Sequence, residues 1–159
     1  MTLAVGAVPQ VRLLDARLRS LDVRALHDWA HSVTDRSGAS HVSRSYRYPY
    51  ALVGWHCEPL GVDIERISPC DGAFADLICT PAERPVAACA SDMDTFLASL
   101  WCAKEALAKT LGNALLYEPS RLESPANWPG QRAGSLRGVR LSVPGDHVAW
   151  ACWRTSEVS

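Results

Sequence analysis

Between Leu60 and Ile67 the chain alternates: Leu60, Val62 and Ile64 are aliphatic, and Gly61, Asp63 and Glu65 fall between them. Successive side chains of a strand point to opposite faces, so this period buries one face and sets two carboxylates together on the other. Further on the period changes. Phe96, Leu97, Leu100, Trp101, Lys104, Leu107, Ala108 and Leu111 recur at helical spacing, with Asp92 or Asp94 near the N-terminal end and Gly112 as a C-terminal stop. Glu105 and Lys109 are then one turn apart on the same side of the helix. Any fold for this chain must seat a strand with one acidic face and one long helix.

Lys104 and Lys109 are the only lysines; every other fixed cation is an arginine. They flank Glu105 in a segment otherwise made of Ala, Leu and Trp, which sets them apart from scattered solubilising charge. Singly, each element has an ordinary reading. An Asp-x-Glu strand edge is usually a solvated face, and a Glu105–Lys109 pair usually stabilises its helix by roughly 0.2–0.5 kcal/mol. Together they point to metal-assisted phosphate chemistry. Three carboxylates that converge supply hard oxygen ligands for Mg²⁺, and two ammonium groups can neutralise phosphate oxygens that the metal does not reach.

At these residues the chain resembles the 4′-phosphopantetheinyl transferase superfamily. The signature is a hydrophobic-Gly-hydrophobic-Asp-x-Glu element and, some forty residues later, aromatic-small-x-Lys-Glu-Ala-x-x-Lys. Here these are Leu60 to Glu65 and Trp101 to Lys109, with Asp63 and Glu105 separated by 42 positions. The larger, surfactin-synthetase-activating type also carries a Ser-His-Ser element before the Asp strand; His41-Val42-Ser43-Arg44-Ser45 stands in that place. Arg44 replaces the histidine that in the family meets the 3′-phosphate of coenzyme A, and a guanidinium fork suits a phosphate equally well. His41 fills that role instead if the register slips. Cys79-Thr80-Pro81-Ala82-Glu83 is similar to a Phe-Ser-x-x-Glu turn of the family, and it also reads as a capping box with Thr80 as cap, Pro81 first and Glu83 third.

The resemblance implies an α+β fold, a long helix packed on a small antiparallel sheet. It further implies one domain that is a shortened pseudo-dimer, with residues 1–59 a reduced N-terminal half and 60–159 a C-terminal half holding the metal motifs. The implied reaction is Mg²⁺-dependent transfer of the 4′-phosphopantetheine arm of coenzyme A to a serine of an apo acyl or peptidyl carrier protein. The metal ligands would be Asp63, Glu65 and Glu105. Arg44, Lys104 and Lys109 would bind coenzyme A, and Glu83, Glu105 and Lys109 would serve catalysis, with Glu83 or Glu65 as the base. The alternative is a noncatalytic homologue that binds coenzyme A or a carrier protein without transfer. Arg66, Arg84, Arg121 and the apolar residues after Lys109 are further candidates for carrier docking.

The rest of the sequence bounds this reading. A chain of 159 residues suits one compact domain. A formal charge of −1 argues against a general nucleic-acid binder. No stretch approaches the roughly 18 apolar residues of a membrane span, and Met1 to Ala7 lacks the basic start of a signal peptide, so the expectation is a cytoplasmic protein without a membrane partner. Six scattered cysteines form no Cys-x-x-Cys pair and read as reduced thiols. His27 and His31 lie one helical turn apart, but lack the glutamate and third ligand of a zinc site.

Along the chain, Leu13 to His31 reads as one or two helices with Asp22 as a cap and Ser37-Gly38 as a close. Arg44 to Ile67 reads as two strands about a His56–Pro59 turn, and Asp71 to Cys89 as short helices. Tyr117 to Arg132 reads as a loop or lid, and Leu136 to Trp153 as a hairpin about Pro144–Asp146.

Overall fold

The structure is a computed structural model and describes residues 8–156; the Met1–Ala7 stretch, read above for a signal peptide, lies outside the described residues. Two antiparallel sheets and two principal helices make a mixed α+β fold. The first sheet contains β1 (Gln10–Asp15), β2 (His41–Arg47) and β3 (Tyr50–His56) in the order β1-β3-β2. The second contains β4 (Leu60–Arg66), the two-residue β5 (Arg132–Ala133), β6 (Leu136–Leu141) and β7 (His147–Arg154) in the order β4-β7-β6-β5. Helix α1 (Val23–Asp35) follows β1. Short helices α2 (Gly72–Ile78) and α3 (Glu83–Ala88) and the long α4 (Met93–Leu111) follow β4. Setting β5 and the short helices aside, both sheets repeat one plan: strand, helix, strand, strand, with the first strand beside the third.

The core explains the layering. Leu14, Val53 and Ala51 of the first sheet pack under Leu26 and Ala30 of α1. The opposite face of that sheet, through Tyr50 and Leu52, meets Leu60, Val62 and Ile64 of β4 and Ala149, Ala151 and Trp153 of β7. Beyond β7, Val148, Trp150 and Cys152 pack against Ala103, Ala106 and Leu107 of α4. The order is helix, sheet, sheet, helix, and the central strands β3 and β7 are buried on both faces.

The cap residues behave as their chemistry requires. Asp22 accepts the Ala25 amide at 2.8 Å, and Asp92 accepts that of Thr95 at 3.1 Å. Gly112 closes α4 at φ 78°, where a side chain would be strained.

Three expectations change. Gln10–Asp15 is a strand where a helix was read from Leu13, because Leu13 and Leu14 face opposite layers and are each satisfied there. Arg44 to Ile67 holds three strands, since the Tyr48–Pro49 turn splits it into an additional hairpin with Arg47 opposite Tyr50. Residues 117–131 are a succession of short 3-10 turns tied to the body of the protein. The hairpin about Pro144–Asp146 and the short helices before α4 are as read.

Gly61 is where β4 and α4 come closest. A Cβ there would lie 2.0 Å from the Ala106 carbonyl oxygen, 2.7 Å from Lys109 Cβ and 2.9 Å from the Thr110 nitrogen. Two of these are backbone atoms, so Gly61→Ala must push the helix off the strand. We expect a loss of about 3 kcal/mol, the upper part of the range for overpacking, measured as a lowered urea midpoint at unchanged slope.

Candidate active site

The acidic face of β4 lies beneath α4. Cys102 directs its thiol to the Asp63 carbonyl at 3.2 Å, and two turns further along α4 Lys109 Nζ donates to the Val62 carbonyl and to Asp63 Oδ1, both at 2.9 Å. The other side of β4 is held by the serines of β2. Ser43 Oγ accepts the Val62 amide at 3.0 Å, and Ser45 Oγ accepts that of Ile64 at 3.2 Å. Ser45 also donates to Asp63 Oδ1 at 2.8 Å. The hydroxyls thus substitute for the backbone ladder that β2 and β4 do not form, and couple the two sheets at Asp63.

Asp63 Oδ2 is buried and has no partner among the described residues. Its neighbours are further carboxylates. Burial and then the Asp63 charge push Glu65 up to about 7, against the pull of Arg47, whose guanidinium sits 2.6 Å from Glu65 Oε2. Burial chiefly raises Glu105 as well, opposed by a hydrogen bond from Tyr117 Oη to Oε1, with Asp63 adding to the rise. Burial, then the Glu105 carboxylate, also drives the Tyr117 phenol up strongly.

Three mutually unfavourable carboxylates and one orphaned oxygen are a donor set suited to a hard cation. As they stand, drawn toward Lys109, Arg47 and Tyr117, they are not a closed cage: no group of three His, Cys, Asp or Glu side chains among the described residues is arranged around one point for a metal. The residues fit a divalent ion by charge and donor chemistry, through the unpartnered Asp63 Oδ2 and the neighbouring Glu65 and Glu105, and not by a preset geometry.

Lys104 and Glu83 are elsewhere. The Lys104 side chain is 0% exposed and donates to Glu83 Oε2 at 2.6 Å, to the Ile78 carbonyl at 2.6 Å and to the Pro119 carbonyl at 2.9 Å. Those three acceptors use all three ammonium protons. Glu83 Oε1 takes the Ser124 amide at 2.9 Å and Asn127 Nδ2 at 3.1 Å. Thr80 and Glu83 also bond reciprocally, the Thr80 amide to Glu83 Oε2 and the Glu83 amide to Thr80 Oγ1, so the capping-box reading holds. Lys104, expected to meet coenzyme A, and Glu83, expected as a base, are thus paired with each other in the interior, with their polar atoms engaged by protein partners.

Arg44 lines a cleft of about 600 Å³ together with Val42, Ser43, Leu60, Lys109 and Leu116. Its Nε donates to Thr34 Oγ1 at 2.8 Å and one Nη to Asp35 at 3.2 Å, both at the C-terminal end of α1. The other Nη has no partner among the described residues. The structure therefore brings together Asp63, Glu65, Glu105 and Lys109, puts Arg44 on the adjoining cleft wall, and removes Lys104 and Glu83. Arg47 and Tyr117 are additional. Arg47 was legible as the next residue on the Ser43–Ser45 strand face, whereas Tyr117 sits beyond the helix stop, where no period reaches.

Compared with known proteins, residues 59–144 match the family model of the 4′-phosphopantetheinyl transferase superfamily. That segment contains β4, α4 and the carboxylates Asp63, Glu65, Glu83 and Glu105. No curated protein matches the chain.

Proposed function

We propose that this chain, which belongs to the 4′-phosphopantetheinyl transferase superfamily, transfers the phosphopantetheine arm of coenzyme A to a serine of an apo acyl or peptidyl carrier protein. The observation that carries the reading is Asp63, with one oxygen orphaned in a nest of carboxylates and the other on Lys109 at the edge of a ligand-sized cleft. The repeated strand-helix-strand-strand plan favours a shortened pseudo-dimer of the surfactin-synthetase-activating type, with residues 1–59 as the smaller half. Among the described residues no helix is long and apolar enough to cross a membrane.

In this reaction the serine oxygen forms a bond to the phosphorus carrying the pantetheine arm, the diphosphate bridge breaks, and 3′,5′-adenosine bisphosphate leaves. Asp63, Glu65 and Glu105 would hold Mg²⁺, which when bound supplies charge neutralisation at the diphosphate. Lys109 places its ammonium at the same point from the cleft side and offsets charge on the departing phosphate. Glu65, reachable from solvent where Glu83 is not, takes the serine proton. Ser45 and the bond of Lys109 to the Val62 carbonyl keep Asp63 and Lys109 in place through the step.

The reading is tested by mixing the protein, Mg²⁺ and coenzyme A with a panel of apo carrier proteins and weighing the carriers. A mass gain equal to the phosphopantetheine group on the carrier serine is expected. Coenzyme A binding without an adduct on any carrier identifies a noncatalytic homologue instead.

Arg44 gives a separate prediction. With one Nη unpartnered on the cleft wall, it is placed to meet the 3′-phosphate. Arg44→Ala should lower affinity for coenzyme A about tenfold to a hundredfold, the 1.5–3 kcal/mol of a charge-assisted contact, and leave 3′-dephospho-coenzyme A nearly unaffected in calorimetric titration. Equal weakening of both ligands would transfer the role to His41 or Arg47.

A further inference from the structure

After Gly112 the chain makes a turn in which the Leu116 and Tyr117 amides both donate to the Asn113 carbonyl, at 3.0 and 3.1 Å. Leu115 and Leu116 point outward, 96% and 89% exposed, yet the next side chain turns in, and Tyr117 donates its phenol to Glu105. Apolar burial of its neighbours does not drive that reversal. Two residues later the strap is pinned: the Pro119 carbonyl receives Lys104, which is locked to Glu83, which in turn holds Ser124 and Asn127. The buried pair thus fixes residues 117–131 at Pro119 and again at Ser124 and Asn127, and Tyr117, just before the first of these points, reaches Glu105 in α4.

We propose that Tyr117 is a positioning residue for cation binding: its phenol occupies Glu105 Oε1, holds that carboxylate beside Asp63, and leaves Oε2 as the oxygen a divalent ion can take. Glu105 projects from the middle of a helix, and its two outer side-chain torsions would otherwise be free, so a fixed donor removes conformational entropy that a metal would have to overcome. The Lys104–Glu83 pair thereby acts on the site through the strap, at a distance from the chemistry. This inference rests on the reading of Glu105 as a metal ligand.

The test is Mn²⁺ titration of the whole protein without coenzyme A, read by the electron paramagnetic resonance signal of free Mn²⁺, with melting temperatures alongside. Tyr117→Phe keeps the ring and should melt with the parent, yet bind Mn²⁺ roughly tenfold more weakly, the low end for loss of a partner behind a metal ligand. Tyr117→Leu should bind Mn²⁺ no worse than Tyr117→Phe, even though it loses packing and melts lower. If the ring only fills space, Tyr117→Phe will bind as the parent does, and the proposal is overturned. Glu105→Gln separates the two layers of the argument. Weakened binding in Glu105→Gln with parental binding in Tyr117→Phe refutes the role of Tyr117 alone, and unchanged binding in Glu105→Gln refutes Glu105 as a ligand and the proposal with it.

Discussion

Lys104→Ala should lower the melting temperature by roughly 6–20 °C, the equivalent of about 3–5 kcal/mol for a domain of this size. The substitution leaves Glu83 buried with its negative charge uncompensated and strips the Ile78 and Pro119 carbonyls of their donor. Each loss is of the expensive kind, in which one partner of a buried pair is removed and the other stays out of water. Replacing both members, as in Lys104→Met with Glu83→Leu, should recover part of the stability. Recovery stays incomplete, because Ser124, Thr80 and Asn127 lose the carboxylate that receives their N–H groups. Thermal unfolding followed by circular dichroism separates this from the alternative that Lys104 meets a phosphate. In that case Lys104→Ala would melt with the parent and lose only affinity for coenzyme A.

The burial of Lys104 was legible in the helix pattern, where it shares the apolar stripe with Leu100, Leu107 and Leu111. What one-dimensional spacing does not contain is the partner, since Glu83 arrives from another helix and Pro119 from the strap. Asp63 and Glu65 were placed correctly by strand parity, and Glu105 and Lys109 by helical period, because each rule acts within one element. Gly61 explains why those elements can register: without a side chain, β4 lets the α4 backbone approach. The extra hairpin at Tyr48–Pro49 does not show in the sequence because β2 is largely polar and the two-residue turn adds no loop that would separate it from β3. Tyr117 could not be inferred at all, since its role depends on the path of a strap fixed by contacts distant in sequence.

Asp63→Asn should slow transfer by on the order of 10²–10³-fold, the range for deleting one preorganised charge-stabilising contact, while the protein stays folded. The amide keeps the shape of the carboxylate, and its oxygen can still accept from Ser45, so the seam between the two sheets survives. What disappears is the charge. The ion pair with Lys109 is lost at a partly exposed ammonium, where such a pair contributes little. Against that loss, Glu65 and Glu105 are relieved of a repulsion that helps to hold both carboxyls above their ordinary range. The two effects oppose each other, and unfolding free energy should stay within about 1 kcal/mol of the parent. A site arranged for stability alone would not behave this way: carboxylates that crowd together at the expense of the fold are retained for what they bind. The measurements are turnover on a carrier protein, Mn²⁺ affinity and urea unfolding of the same preparation. Turnover and Mn²⁺ binding that persist at the parental level would show that Asp63 joins the sheets and does nothing more, whereas a stable protein that has lost both places the cation on Asp63.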